Sequence, residues 1–337
     1  MSKLKIVQVG LGSHGTGVGV NAIVSSPDFE YAGLVDPYQP GLEEAARQLN
    51  VDSSKLYNDH KKAFAEAGAD AVYISAISPV HFEICKDALE SGFHVLIEKP
   101  FVLDVIEGKE LVELAEKKNL KLMVDQNYRY NLHVHDLIKL VQEKKLGELE
   151  FANVQFYYFH DGKPYQKEME NYMLMEMAIH HTDLIRYVLG SNVKTVNGKT
   201  WNEKNSGYKG DPCVHAAFEM EIGIPVFYTG TLLSKGLSTP WEGKWRIQCK
   251  NGSIHLDDLG QDYGVYVVDE HENVTRVPLE WTDYADVKRV FAEFASSIIE
   301  DREPAISGRD NLQTLATQLA INKSSKENRQ VAISEIL

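Results

Sequence analysis

The chain of 337 residues carries only three cysteines, Cys85, Cys213 and Cys249, too few and too scattered for a disulfide framework or a Cys-x-x-Cys metal knuckle. Reduced thiols in a cytoplasmic setting are the expectation, with no metal site. Long hydrophobic runs are missing too: nothing approaches the roughly 18 uninterrupted apolar residues of a membrane-spanning helix. The opening MSKLKIVQVG enters an apolar run at once, without the basic segment and long apolar core of a secretory signal. Positive charge is in deficit, with 35 Lys and Arg against 49 Asp and Glu and a formal net charge of −14. No basic stripe offsets that balance, so neither nucleic acid nor a membrane is an expected partner. Internal repeats and low-complexity tracts are absent as well. The remainder is ordinary globular material, 43% hydrophobic and 25% charged, in a length that suggests about two domains at ~150 residues each.

Residues 1–125 alternate short apolar runs (4–9, 31–35, 70–77, 94–97, 121–124) with helical patterns that include 42–49, 79–92 and 104–118. That rhythm predicts right-handed βαβ units and a parallel sheet covered on both faces. From residue 126 the rhythm changes. Helical patterns at 134–144 and 173–189 are separated by a β-prone run at 149–159, and strand after strand follows from 193 to 268. Asn251-Gly252 signals a hairpin, and helices at 284–300 and 310–327 close the chain. The expectation is a doubly wound Rossmann-type α/β domain (1–125) and an α+β domain (126–337) with a large, mostly antiparallel open sheet. Phe151, Val154, Phe156 and Tyr158 are read as one apolar parity of that sheet. The uncovered face predicts a homodimer or homotetramer.

Gly10-Leu11-Gly12-Ser13-His14-Gly15 fits GxGxxG, a weak signal by itself. Here it follows the first strand directly, opens a helix, and is followed 21 residues after Gly15 by Asp36 at the end of the second strand. Each part has a use in holding a dinucleotide: Gly10 for the tight turn, Gly12 for close approach of the pyrophosphate, and Gly15 for helix–strand packing. Asp36 would accept hydrogen bonds from the ribose hydroxyls and repel a 2′-phosphate. With no Arg or Lys in residues 37–40, NAD is expected ahead of NADP.

Two further segments carry chemistry. The fifth run ends in Glu98-Lys99-Pro100, and a Lys at the carboxyl end of a parallel strand points toward the ligand crevice, where its ammonium can polarise a substrate oxygen. A solvated Glu–Lys pair would read the same way. Glu176 and His180 are four apart on a helical segment that ends at Gly190, with Asp183 one turn further on. A carboxylate beside an imidazole orients the ring and raises its basicity, as oxidation of an alcohol requires. A helical metal site or an exposed ion pair could look alike at this level. His133, His135 and His181 are read as bystanders.

Taken together, Gly10–Gly15, Asp36, Glu98-Lys99-Pro100, Asn127 with Arg129, and IHHTDLIRYVLG at 179–190 resemble the Gfo/Idh/MocA family of oxidoreductases over nearly the whole chain. The resemblance implies that Lys99 and His180 are catalytic with the carboxylate of Glu176 as partner, that Asp183 binds substrate hydroxyls, and that Asn127 lies near the nicotinamide. The expected cofactor set is Gly10, Gly12, Ser13, His14, Gly15, Asp36, Ser78, His81, Glu98 and Asn127. The expected substrate set is Lys99, Arg129, His160, His180 and Asp183. The implied reaction moves a hydride between NAD and a secondary hydroxyl of a sugar, polyol or inositol-like molecule. An NAD-binding regulator without turnover and an NAD-assisted glycosidase are the alternatives. Two departures stand out: Glu176 replaces the family's usual Asp, and KPYQKEMENYML replaces its Trp-Arg and Gly-Gly-Gly segment.

Overall fold

A computed structural model describes residues 2–279, 281–282 and 285–337. It divides into two compact units, Met1–Tyr130 with Tyr284–Leu312, and Asn131–Asp283 with Gln313–Leu337.

In the first unit, β1 (Leu4–Val9), β2 (Phe29–Val35), β3 (Leu56–Tyr57), β4 (Ala71–Ile74), β5 (His94–Glu98) and β6 (Leu122–Asp125) form one sheet in the order β3-β2-β1-β4-β5-β6. Every pairing is parallel. The strand sequences explain this arrangement: Ile6, Val7, Val72, Ile74, Leu96 and Ile97 are all inaccessible, as in strands covered on both faces. Five helices connect the strands: α1 (Ser13–Val18), α2 (Gln39–Leu49), α3 (His60–Glu66), α4 (His81–Glu90) and α5 (Val105–Lys117). The Asp59 and Asp104 side chains cap α3 and α5 by accepting from the Lys62 and Ile106 amides. The two-residue β3 was not legible in the sequence, being too short for a periodicity.

In the second unit α6 (Leu132–Gln142) precedes the long strand β7 (Leu149–Tyr157), and α7 (Pro164–Glu168) leads to a wider π turn at Met173–Ala178 that runs straight into α8 (Ile179–Leu189). Gly190 ends α8 in the left-handed conformation, φ +61. Then come β8 (Val193–Trp201), β9 (Cys213–Met220), β10 (Pro225–Thr231), β11 (Lys244–Cys249), β12 (Gly252–Asp257), β13 (Gly264–Asp269) and β14 (Val274–Arg276). Helix α9 (Val287–Ile299) belongs to the first unit, where Phe291 packs edge-on against Tyr73 at 5.1 Å; the expected start of this helix at Tyr284 lies outside the described residues. The chain closes with α10 (Gly308–Glu327) and β15 (Val331–Ala332).

The second sheet runs β14-β13-β12-β11-β7-β10-β9-β8-β15. It is antiparallel except for the β7–β10 pair, which is parallel. A hairpin joins β11 to β12 where Asn251-Gly252 was expected to turn. On β7 the parity splits cleanly: Ala152, Val154 and Phe156 are buried, and the Phe156 ring lies 4.7 Å from that of His181 on α8. Phe151 departs from the expected grouping. It falls on the opposite parity, where Phe227 and Trp201 are also partly exposed, because side chains two apart share a face and three apart do not. No helix among the described residues is long and apolar enough to cross a membrane.

Candidate functional site

The glycine turn occupies the carboxyl end of β1. Gly10 has φ +93, and a Cβ there would lie 2.4 Å from the Ala76 nitrogen. A Cβ on Gly15 would lie 2.5 Å from the Ser75 hydroxyl, which donates to the Gly10 carbonyl at 2.7 Å. Around Gly12, by contrast, a Cβ would meet nothing within 4 Å, so the backbone is open where a phosphate would approach. Ser13 and His14 begin α1 beside it. The Asp36 carboxylate reaches back to this turn, accepting from the Leu11 amide at 2.8 Å and the Tyr38 amide at 2.9 Å. The donors, the open glycine and the aimed carboxylate fit a dinucleotide: the turn would hold the pyrophosphate and Asp36 the ribose.

The carboxyl ends of β4, β5 and β6 bring a second group together. Glu98 is buried, and one of its oxygens accepts from the Tyr73 hydroxyl at 2.7 Å and meets His14 Nε2 at 3.0 Å. Burial works against the Glu98 charge, but the hydrogen bond and charge of His14, the charge of Lys99 and the Tyr73 hydroxyl together hold its pKa below the usual carboxylate range. Opposite Glu98 in register stands Asp125, whose pKa is pushed well up, first by burial and then by the Glu98 charge. Lys99 is half-buried at the end of β5, and the Lys99–Pro100 bond is cis. Asn127 donates to Asp286 at 2.5 Å; burial, opposed by that hydrogen bond, raises the Asp286 pKa. Ser78 heads the short turn before α4. His81 is buried, its ring nitrogens 2.9 Å from the Pro100 and Ala76 carbonyl oxygens, and so braces the loops after β4 and β5. Arg129 is buried as well, donating to Asp310 at 2.6 Å and to the Ala305 carbonyl at 3.3 Å.

In the second unit, Glu176 is half-exposed on the π turn and His180 stands buried on the first turn of α8. Tyr172 precedes Glu176 by four residues. Burial and then the Glu176 charge raise its phenol pKa. Its ring lies between those of His160 (6.1 Å) and Tyr208 (5.7 Å). His181 points into the fold, with its Nε2 donating to the Trp241 carbonyl at 2.8 Å and its Nδ1 accepting from the Tyr228 hydroxyl at 2.8 Å. Burial pushes its pKa down to about 4, against a weaker opposing bond to Trp241. A neutral ring with both nitrogens committed is a strut. Asp183 is 1% exposed and accepts from the Thr314 hydroxyl at 2.9 Å, which in turn accepts from Arg186 at 2.7 Å.

Sequence reasoning did not single out Tyr73, Asp125, Tyr172 or Asp286. Asp125 had a usable signal, since it ends a predicted parallel strand just as Glu98 does.

The first unit is a parallel α/β domain with a glycine turn after β1 and Lys99 directly after β5, and the second is an α+β domain with Glu176 and His180 four residues apart. Residues 4–126 match the model of the oxidoreductase family with NAD-binding Rossmann fold, and residues 134–255 match that of the GFO/IDH/MocA C-terminal domain. The chain belongs to the Gfo/Idh/MocA family of oxidoreductases. Among its relatives, a D-apiose dehydrogenase from Paraburkholderia graminis is 22% identical over 321 residues, covering 91% of this chain and 84% of that protein. A myo-inositol 2-dehydrogenase from Thermotoga maritima is 22% identical over 345 residues, covering 99% of this chain and all of that one. The crystal structure of an oxidoreductase from Agrobacterium radiobacter with NAD+, L-tartaric acid and magnesium superposes with a TM-score of 0.91 at 22% identity, each chain fully covered.

Proposed function

We propose that this oxidoreductase is an NAD-dependent dehydrogenase that oxidises a secondary hydroxyl of a polyhydroxylated small molecule, a sugar, polyol or cyclitol. The observation that carries the reading is Glu176 on the π turn four residues ahead of His180 at the start of α8, with the neighbouring His181 locked as a neutral strut, in a chain that also places Lys99 directly after β5. In the proposed reaction His180 takes the hydroxyl proton, the Lys99 ammonium polarises the oxygen as alkoxide character develops, and Glu176 orients the imidazole. Bound NAD would supply the hydride acceptor. His160 is assigned to substrate hydroxyls. Arg129 and Asp183 are already engaged by Asp310 and Thr314, so we assign each to bracing the elements it joins within its own unit.

Preference for NAD over NADP rests on Asp36, a fixed carboxylate where a 2′-phosphate would need a cation. The polyhydroxy substrate is supported by the activities named for the two dehydrogenase relatives. It is also supported by the partly exposed Trp241 ring, which lies tilted against Tyr158 with centroids 4.5 Å apart, since aromatic faces accept the C–H surface of sugar rings. The partly open parity of the second sheet supports self-association into a dimer or tetramer. The three buried, unbridged thiols suit a reducing cytoplasm.

The test is to incubate the enzyme with NAD+ and a panel of aldoses, polyols, cyclitols and sugar acids and follow NADH. Turnover with net NADH supports the reading. Tight NAD binding with no NADH from any compound favours a regulator, and glycoside cleavage without net NADH favours an NAD-assisted glycosidase.

A further inference from the structure

Two carboxyls stand side by side at the carboxyl ends of β5 and β6, and their surroundings differ sharply. Glu98 and Asp125 are register partners on adjacent parallel strands, 7% and 2% exposed. Glu98 receives the Tyr73 hydroxyl at 2.7 Å and faces His14 Nε2 at 3.0 Å. No donor among the described residues reaches either oxygen of Asp125. A buried carboxylate without donors is far costlier than a buried carboxylic acid, and two adjacent carboxyls relieve their repulsion by keeping one proton between them. The groups that face the pair are Tyr73 from β4, His14 from the start of α1, Lys99 after β5, and Asp286 ahead of α9. All belong to the first unit. The anionic member is the one tied to His14 of the glycine turn.

We propose that Glu98 and Asp125 form a one-proton pair, Glu98 the carboxylate and Asp125 the neutral acid, and that the single charge on Glu98 makes the site favour the cationic oxidised nicotinamide over the neutral reduced one. This rests on the reading of a dinucleotide laid across the carboxyl ends of the strands, where the β4–β6 half takes the nicotinamide. With Lys99 unchanged, an uncharged pair would add nothing to a preference for the oxidised form, and a doubly charged pair would add more. Tyr73 is a positioning residue in this scheme: its hydroxyl holds the charge on the member next to the turn. Asp125 keeps the charge of the pair at one, because its proton neutralises a carboxyl that no donor reaches and can be donated to Glu98. Directions of titration agree, with Glu98 lowered and Asp125 raised.

The experiment measures the dissociation constants of NAD+ and NADH separately on the same protein, by calorimetry and by NADH fluorescence, for wild type, Glu98→Gln and Asp125→Asn. Glu98→Gln is expected to weaken NAD+ about tenfold or more while NADH changes little, since one unit charge is removed from a partly desolvated site. Asp125→Asn, which replaces a neutral acid by a neutral amide, is expected to leave the NAD+/NADH affinity ratio near wild type. Tyr73→Phe is the milder variant should Glu98→Gln not fold, with a smaller shift of the ratio in the same direction. Equal shifts of the ratio in the Glu98 and Asp125 variants would mean two carboxylates and overturn the one-proton assignment. An unchanged ratio in Glu98→Gln, or equal weakening of both cofactors, would overturn the electrostatic role. Wild-type protein that binds neither dinucleotide would instead remove the cofactor reading on which the proposal stands.

Discussion

Asp36 offers the most quantitative entry to cofactor choice. Its carboxylate is fixed by the Leu11 and Tyr38 amides at 2.8 and 2.9 Å, so it cannot swing aside to admit a phosphate. Replacement by Asn removes the charge and keeps an acceptor for one amide, which holds the folding cost to about 1–2 kcal/mol. Loss of a charge-assisted bond to the ribose costs NAD about 1.5–3 kcal/mol. Removing the repulsion that a 2′-phosphate would feel is worth about 2 kcal/mol to NADP at this partly solvated position. The two effects act in opposite directions on the two cofactors, so their affinity ratio moves by about 3.5–5 kcal/mol, roughly a few hundred- to several thousand-fold. Fluorescence titration with NADH and NADPH reads this directly, and a thermal melt checks that the variant is folded. A ratio within threefold or so of wild type would refute the ribose assignment for Asp36.

Three other outcomes follow from the geometry. Lys99→Ala and His180→Ala should each lower kcat by about 10²- to 10⁴-fold with NADH affinity nearly unchanged, and added imidazole should partly rescue only the His180 variant; turnover at the wild-type rate removes the residue from the mechanism. His181 is held neutral down to about pH 4 in the fold, whereas the unfolded ring takes its proton near pH 6.5, so its contribution is present above about 6.5 and lost on the way down to 4. That amounts to about 3 kcal/mol, and urea denaturation of His181→Gln should show a correspondingly flatter acid limb; an unchanged limb contradicts the strut. Light scattering at micromolar concentration should give a dimer or tetramer, and a Phe227→Glu variant on the partly open sheet face should dissociate it, while a wild-type monomer would dismiss self-association.

The parts legible in the sequence are those whose physics is local. A strand that runs into Gly10-Leu11-Gly12 and an acid at the end of the next strand are set by neighbours in the chain, and so is the helix that stops at Gly190. Partners set by register were not legible. Asp125 gains its meaning only by standing opposite Glu98, and the parallel β7–β10 pair inside an otherwise antiparallel sheet depends on strand order, which periodicity does not encode. Spacing from Glu176 separates His180 from His181 in the sequence, but the structural task of His181, its ring turned to the Tyr228 hydroxyl and the Trp241 carbonyl, depends on partners distant in the chain. The π winding at Met173–Ala178 likewise leaves no mark in the apolar pattern, and neither does the membership of α9 in the first unit.

The decisive measurement is isotopic. A substrate found in the panel is prepared with deuterium on the carbinol carbon and reacted with NAD+ for a single turnover. One deuteron carried into the nicotinamide ring for each molecule oxidised is the result this mechanism requires. Oxidised product accompanied by unlabelled NADH, or label lost wholly to water, would contradict direct hydride transfer.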